Sequence, residues 1–151
     1  MTILTKTVLN SEAIPKVALN FMNDTHIEEV EMVKTLGECI SFYQINEAKT
    51  DKAEQEITQL LANWLQHTQA HFSRENELME ETHFPMYPVH SAEHERVLAE
   101  MTTIIQQWQQ AHDIEQLADY VFSAWPNWFN EHVNSMDRVT AQFAAMNGYE
   151  G

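Results

Sequence analysis

Residues 71–94 read HFSRENELMEETHFPMYPVHSAEH and contain four of the eight histidines of the chain. His71 lies four residues before Glu75, and His90 lies four residues before His94. Two residues spaced in this way on an α-helix differ by about 40° in direction, so each pair would point to one side of its helix. Imidazole and carboxylate groups held side by side are typical metal ligands.

Apolar residues at helical spacing occur in four long stretches of the chain, at about residues 22–43, 57–78, 90–108 and 117–143. Only three glycines and four prolines are present, which leaves few turns for a β-rich fold. The pattern predicts an all-α protein, an antiparallel up-down four-helix bundle. Pro126 should kink or split the fourth helix. Residues 1–19 do not fit the pattern and are expected to form an N-terminal arm, with residues 20–151 as the single bundle domain.

The predicted core faces of these helices carry several polar residues among the apolar ones. They are His26, His71, Glu75, His90, His94 and His132. A buried carboxylate costs several kcal/mol unless it is paired or bound to a metal. A lone histidine on an apolar face is usually a hydrogen-bonded core residue, but five histidines on four facing helices would each need a separate buried partner. One bound metal cluster would satisfy all of them.

The ligand types restrict the metal. The chain has one cysteine, Cys39, so it can form neither an internal disulfide nor a cysteine metal site. Nitrogen and oxygen ligands suit iron, manganese, zinc or copper. Zinc usually takes four ligands at one ion, and a set of five histidines with carboxylates is too large for that. The set fits two octahedral ions that share bridging carboxylates and keep one position for an exogenous ligand.

The ordered set of these residues resembles the hemerythrin family, in particular its bacterial single-domain members, over roughly residues 20–146. The family pattern is a histidine in the first helix, His-x-x-x-Glu in the second, His-x-x-x-His in the third and His-x-x-x-x-Asp in the fourth. It is matched by His26, His71 with Glu75, His90 with His94, and His132 with Asp137. The flanking segments HFSRENELM, YPVHSAEH and WFNEHVNSMD are also similar to the family.

The resemblance implies a di-iron centre. The iron ligands that it implies are His90, His94 and His132 on one iron, His26 and His71 on the other, and Glu75 and Asp137 as bridges together with an oxo or hydroxo group. The iron held by His26 and His71 would keep an open position for molecular oxygen. We therefore expect a protein that binds oxygen reversibly for storage, delivery or sensing.

Asp137 departs from simple helix geometry. His132 and Asp137 are five residues apart, so an ideal helix would place them about 140° apart in direction. Both can face one metal cluster only if the fourth helix is overwound or bulged between them, and we expect a π-type bulge. The alternative is that Asp137 is a surface acid, and the family pattern speaks against it.

Other polar residues near the predicted ligands are not assigned to the metal. Glu29 lies three residues after His26, and we expect it to turn outward into solvent beside Glu28. The alternative is that Glu29 borders the oxygen pocket. The remaining three histidines are predicted to be non-ligands, although the first lies one turn before His71: His67, His83 and His112.

Two further functions stay open. The first is a di-iron enzyme on the same fold, an oxidase, a peroxidase or a nitric-oxide-handling protein, and the second is iron sequestration. Ferritin-like di-iron enzymes use two Glu-x-x-His motifs, whereas this chain has one, Glu80 with His83. A histidine-rich cluster favours oxygen binding over oxygen activation.

The net charge of −15 argues against nucleic acid and against an anionic membrane as partners. No apolar run is long enough to cross a bilayer. The first residues, MTILTKTVLN, lack the features of a signal peptide, so we expect a cytoplasmic location. Molecular oxygen is the expected partner, and a monomer is the expected state, with a weak homo-oligomer as the alternative.

Overall fold

The architecture, taken from a computed structural model that describes residues 10–45 and 50–149, is the predicted bundle of four long helices. The first three are α1 (Asn20–Ile45), α2 (Asp51–Glu81) and α3 (Tyr87–Ala111), and a fourth follows after two residues. Short connections make consecutive helices antiparallel neighbours. The predicted all-α fold is confirmed, and none of these helices has the length and apolar character needed to cross a membrane.

The fourth helix is continuous but alternates between two helical forms. Its segments are α4 (Ile114–Asp119), a first π segment (Tyr120–Ala124), α5 (Trp125–His132), a second π segment (Val133–Asp137) and α6 (Arg138–Met146). Pro126 lies in the first turn of α5, directly after the first π segment. There the backbone N–H of Trp125 donates to the carbonyl of Tyr120, five residues earlier. The helix is thus not split at Pro126, and the irregularity there is a widened turn.

The second π segment begins directly after His132 and ends at Asp137. The sequence predicts a bulge at this place, and that prediction is confirmed. The extra residue in the turn brings both side chains into the core. It also shifts the helical register of all later residues in this helix by one position. Regular helical spacing predicts Val139, seven residues after His132, on the core face. This prediction is wrong, because Val139 is 51% exposed. Thr140 and Ala141 are buried in its place.

The segment before α1 lies along that helix. It contains a short 3-10 turn at Ser11–Ala13. The Asn23 side chain fastens it, since Asn23 Oδ1 accepts from the Val17 N–H at 2.9 Å and Asn23 Nδ2 donates to the Val17 carbonyl at 3.0 Å. Residues 1–9 of the predicted arm lie outside the described residues, so the division at residue 19 stays a prediction.

Local signals at the helix ends explain why the connections are short. The Thr50 hydroxyl accepts from the Ala53 N–H at the start of α2, and the Asp113 carboxylate accepts from the Gln116 N–H at the start of α4. His112 closes α3 in the left-handed conformation, with φ of 49°. These caps satisfy backbone groups that a helix end leaves unpaired.

Apolar side chains form two clusters, and a polar layer lies between them. The larger cluster includes Val30, Trp64, Val97, Trp125 and Phe129. The smaller one consists of Leu19, Met22, Leu78, Ala141 and Ala144. Along α1, Met22 of the smaller cluster and Val30 of the larger one flank His26 on either side. The bundle thus holds its polar residues in one layer near one end of an otherwise apolar core.

Candidate metal centre

All seven predicted ligand residues meet in this polar layer, and none is more than 6% exposed. α1 contributes His26, α2 contributes His71 and Glu75, α3 contributes His90 and His94, and the fourth helix contributes His132 and Asp137. Every helix of the bundle therefore supplies part of the cluster.

The donor atoms form two groups, each with its atoms within 4.8 Å of one another. The first contains Glu75, His90, His94, His132 and Asp137, and the second contains His26, His71 and Glu75. We call the side with His90, His94 and His132 the three-histidine half, and the side with His26 and His71 the two-histidine half. Glu75 belongs to both groups, so its carboxylate joins the two halves.

The two oxygens of Glu75 point to different halves. Glu75 Oε2 lies 2.6 Å from His71 Nε2, in the two-histidine half. Glu75 Oε1 lies 3.3 Å from His94 Nε2, in the three-histidine half. A carboxylate that bridges two ions divides its oxygens in this way.

Asp137 repeats this division from the opposite wall of the bundle. Asp137 Oδ2 lies 3.0 Å from His26 Nε2. Asp137 Oδ1 lies 3.1 Å from the Nε2 atoms of both His90 and His132. The second π segment is what permits this contact, since it places Asp137 on the same face as His132.

The seven residues fit a pair of metal ions. Among the described residues, buried side-chain atoms without a hydrogen-bond partner include Glu75 Oε1, His94 Nε2 and Asp137 Oδ1, all of which face the cluster. His90 Nε2 and His132 Nε2 lie 3.1 Å apart. Adjacent ligands of an octahedral ion, each at about 2.1 Å from it, lie about 3 Å from each other. A metal ion would therefore satisfy atoms that the protein alone leaves without a hydrogen bond.

The electrostatics of the cluster favour a cation. Burial and the nearby Asp137 oppose ionisation of Glu75, but His71 and His94 outweigh them and lower its pKa to about 2. Burial likewise opposes ionisation of Asp137, yet its histidine neighbours hold its pKa well below the usual value. In the described chain the ion-pair partners of both carboxylates are histidines. Two buried negative charges thus face only groups that can also bind a metal.

Three of the histidines are held from behind through their other ring nitrogen. The Nδ1 contacts are His90 with Thr140 Oγ1 at 2.8 Å, His94 with Asn76 Oδ1 at 2.9 Å, and His71 with Glu29 Oε1 at 3.2 Å. Such contacts fix the orientation and tautomer of a metal-binding imidazole. Neither Asn76 nor Thr140 was identified from the sequence, where nothing distinguishes them from surface polar residues.

Glu29 is buried, so the expectation that it turns outward is wrong. It is 1% exposed and accepts hydrogen bonds from Trp64 Nε1 and from the Thr68 hydroxyl. Burial raises the pKa of Glu29, but contacts with His67 and His71 outweigh it and lower the pKa to about 2. The signal in the sequence was Thr68, a polar residue on the core face of α2 one turn before His71.

The three histidines predicted to be non-ligands lie outside both groups. His67 contacts Glu29 at 3.4 Å and Glu28 at 3.3 Å, and its side chain is 22% exposed. His83 and His112 lie in the turns at either end of α3, both with positive φ.

Aromatic rings cover the cluster. Phe72 stacks on His94 with ring centres 4.0 Å apart, and Trp128 stacks on His132 at 4.6 Å. Phe129 meets the His26 ring edge to face at 5.6 Å. This wall lowers the local dielectric, which strengthens electrostatic interactions inside it.

Comparison with known proteins agrees with this geometry. The family description "Hemerythrin HHE cation binding domain" matches residues 18–144. The chain is 27% identical to a bacteriohemerythrin of Aquifex aeolicus (strain VF5) over 135 residues, which cover 89% of this chain and 96% of that protein. It is 31% identical to a bacteriohemerythrin of Ralstonia nicotianae (strain ATCC BAA-1114 / GMI1000) over 108 residues, 72% of this chain and 77% of the relative. No solved structure matches the chain significantly.

Proposed function

The chain belongs to the hemerythrin family, and from this premise we propose that it is a non-haem di-iron protein that binds molecular oxygen reversibly. One observation carries the proposal. Glu75 and Asp137 each turn one oxygen toward the three-histidine half and the other toward the two-histidine half. That division is useful only if each half holds its own ion.

We assign the ligands as the family pattern orders them. His90, His94 and His132 would hold one iron, His26 and His71 would hold the other, and Glu75 and Asp137 would bridge them. Two iron ions in this place would supply the electrons that reversible oxygen binding requires. The two-histidine half offers one nitrogen fewer, so an iron held there would have the free position for oxygen.

The remaining residues of the site orient the ligands and exclude water. The contacts of Thr140, Asn76 and Glu29 fix three imidazole rings from behind. The stacked rings of Phe72 and Trp128 shield the three-histidine half. A binding protein benefits from this rigidity, because the metal ligands need no rearrangement when oxygen enters or leaves.

The test is iron loading followed by visible spectroscopy. We expect two irons per chain and an absorption band that appears with oxygen and disappears when oxygen is removed. One zinc per chain in protein produced with ample iron would exclude the proposal. The cytoplasmic location and the monomeric state predicted from the sequence are also part of this proposal.

A di-iron enzyme is the second candidate, and one contact chain favours it. Glu28, with its side chain 66% exposed, contacts His67, and His67 contacts the buried Glu29, which contacts His71. The surface is thereby connected to the centre by polar groups, a feature that an oxygen carrier does not require. Rapid irreversible oxidation of the reduced protein, with hydrogen peroxide released or a reductant consumed, would select the enzyme.

A further inference from the structure

We propose that Glu29 is a positioning residue that makes His71 a stronger electron donor than the other histidines of the centre, and so stabilises the oxidised metal in the two-histidine half. This inference rests on the proposed function, because it requires His71 to bind iron through Nε2. Nothing in the family pattern assigns a role to this position. The contacts behind the His71 ring carry the argument.

The geometry leaves Nδ1 of His71 one role. His71 Nε2 faces the cluster, 2.6 Å from Glu75. A neutral imidazole whose Nε2 binds a metal carries its proton on Nδ1. His71 Nδ1 lies 3.2 Å from Glu29 Oε1, so its N–H donates a hydrogen bond to that carboxylate. A carboxylate acceptor at this position fixes the ring and raises the basicity of the nitrogen that faces the metal.

Two of the side chains that hold the Glu29 carboxylate are neutral hydrogen-bond donors. Trp64 Nε1 donates to Glu29 Oε2, and the Thr68 hydroxyl lies 3.0 Å from the same oxygen. These groups hold the carboxylate in place without cancelling its charge. The partly exposed His67 is a longer contact, at 3.4 Å. Because Glu29 is 1% exposed, water screens its charge little.

The three-histidine half offers the contrast. His94 Nδ1 faces the neutral amide oxygen of Asn76, and His90 Nδ1 faces the neutral hydroxyl of Thr140. Among the described ring contacts, the charged acceptor behind a predicted ligand is therefore on the two-histidine half. The asymmetry lies in side chains outside the ligand set, so it can be altered without removing a ligand.

The experiment compares four iron-loaded proteins in redox titrations with dye mediators: wild type, Glu29→Gln, Glu28→Gln and Asn76→Asp. Glu29→Gln keeps a hydrogen-bond acceptor and removes the charge. Glu28→Gln removes the same charge from the exposed neighbouring position and serves as the matched control. Asn76→Asp places a new carboxylate behind His94, the reciprocal change on the other half.

We expect Glu29→Gln to favour the reduced form by about tenfold in the one-electron equilibrium, a rise in potential of about 59 mV. Asn76→Asp should shift the equilibrium in the opposite direction, and Glu28→Gln should shift it by less than twofold. Equal shifts for Glu28→Gln and Glu29→Gln would overturn the proposal, because a long-range charge effect would then suffice. An unchanged potential in both Glu29→Gln and Asn76→Asp would overturn it as well.

A second measurement does not depend on redox activity. In the zinc-substituted protein, the ring Nδ1 proton of His71 should give a nuclear magnetic resonance signal further downfield than those of His90 and His94. Glu29→Gln should move this signal upfield and leave the other two unchanged. A His71 signal at the position of the others in the wild type would refute the contact. Wild-type protein that takes up no iron would instead contradict the di-iron function itself, so the two failures are distinguishable.

Discussion

The two halves of the metal centre are built differently. In the three-histidine half, His94 and His132 stack on aromatic rings, and neutral oxygens hold His90 and His94 from behind. In the two-histidine half, a buried carboxylate holds His71. The Nδ1 atom of His26 has no hydrogen-bond partner within the described part of the chain.

This difference separates two tasks. The three-histidine half would supply three nitrogen ligands to a bound ion, whereas the two-histidine half would supply two. An ion in the two-histidine half would therefore have fewer protein ligands. The half that we propose to exchange oxygen is therefore also the half with a charged acceptor behind one of its histidines, whereas neutral acceptors lie behind two histidines of the other half.

Removal of the metal is the most severe test of this comparison. Without metal, Glu75 Oε1, His94 Nε2 and Asp137 Oδ1 are buried without a hydrogen-bond partner. We expect the free energy of unfolding to fall by about 5 kcal/mol, as for a buried ion pair that loses one partner. Urea denaturation of metal-free and iron-loaded protein at one pH measures it. Hydrogen exchange should show more protection lost around His94 than around His26, because these three atoms all belong to the three-histidine half. Equal stabilities would contradict a structural role for the metal.

Substitution of single ligands should show whether the two halves bind iron independently. His71→Ala should release one iron and leave the other on the intact three-histidine half. Glu75→Ala should release both, because Glu75 belongs to both groups. Each loss should exceed about 100-fold in affinity, since even partners outside the ligand set contribute 10- to 100-fold. Iron content per chain after dialysis measures the effect, with His67→Ala as the control that keeps both irons. Loss of both irons in His71→Ala would show that the halves do not bind independently.

The pH dependence should also differ between His94 of the three-histidine half and His71 of the two-histidine half. Burial lowers the pKa of His94, so this ring is neutral at pH 7. Burial opposes protonation of His71 too, but Glu75 and Glu29 raise its pKa well above 6.5. In metal-free protein the His71 proton thus contributes stability that is complete below pH 6.5 and is lost as the pH rises through the raised pKa.

Iron must displace that proton, so its affinity for the two-histidine half should rise with pH by about tenfold per unit up to the raised pKa of His71. Nuclear magnetic resonance titration of the two rings in metal-free protein checks the order of their pKa values. Proton release on iron addition, followed in weakly buffered solution at pH 7, checks the linkage. A lower pKa for His71 than for His94 would reverse the expected order.

Features that follow from regular helical spacing could be predicted from the sequence. Features that depend on the π segments could not be predicted from spacing alone. His71 and Glu75 sit four apart on an uninterrupted helix, so spacing alone placed them together. Asp137 needed the family pattern, because only a π segment brings it to the face of His132. That same segment misplaced Val139, since an added residue rotates every later side chain by about 100°.

The burial of Glu29 has a different cause. Its angle to His26 on α1 is compatible with either solvent or core, and the choice depends on partners from α2. Trp64 and Thr68 reach it only after the helices pack, and no periodicity within α1 records that contact. The acceptors Asn76 and Thr140 were missed likewise. The ligand set itself remains a prediction until metal analysis tests it.

The smallest expected effect concerns the neutral acceptors of the three-histidine half. Asn76→Leu removes the acceptor of His94 Nδ1, and Thr140→Val removes that of His90 Nδ1 while keeping the size of the side chain. Each should weaken iron binding in that half by about tenfold, near 1.4 kcal/mol, at the low end for such partners. The stacked Phe72 still orients His94, at 4.0 Å, so Asn76→Leu should be the milder of the two. Competition with a chelator measures both affinities, and iron in the two-histidine half should be unaffected. An equal loss of iron affinity in both halves would mean that the three-histidine half does not bind iron independently of the two-histidine half. That result would contradict the separate roles that we infer from these contacts.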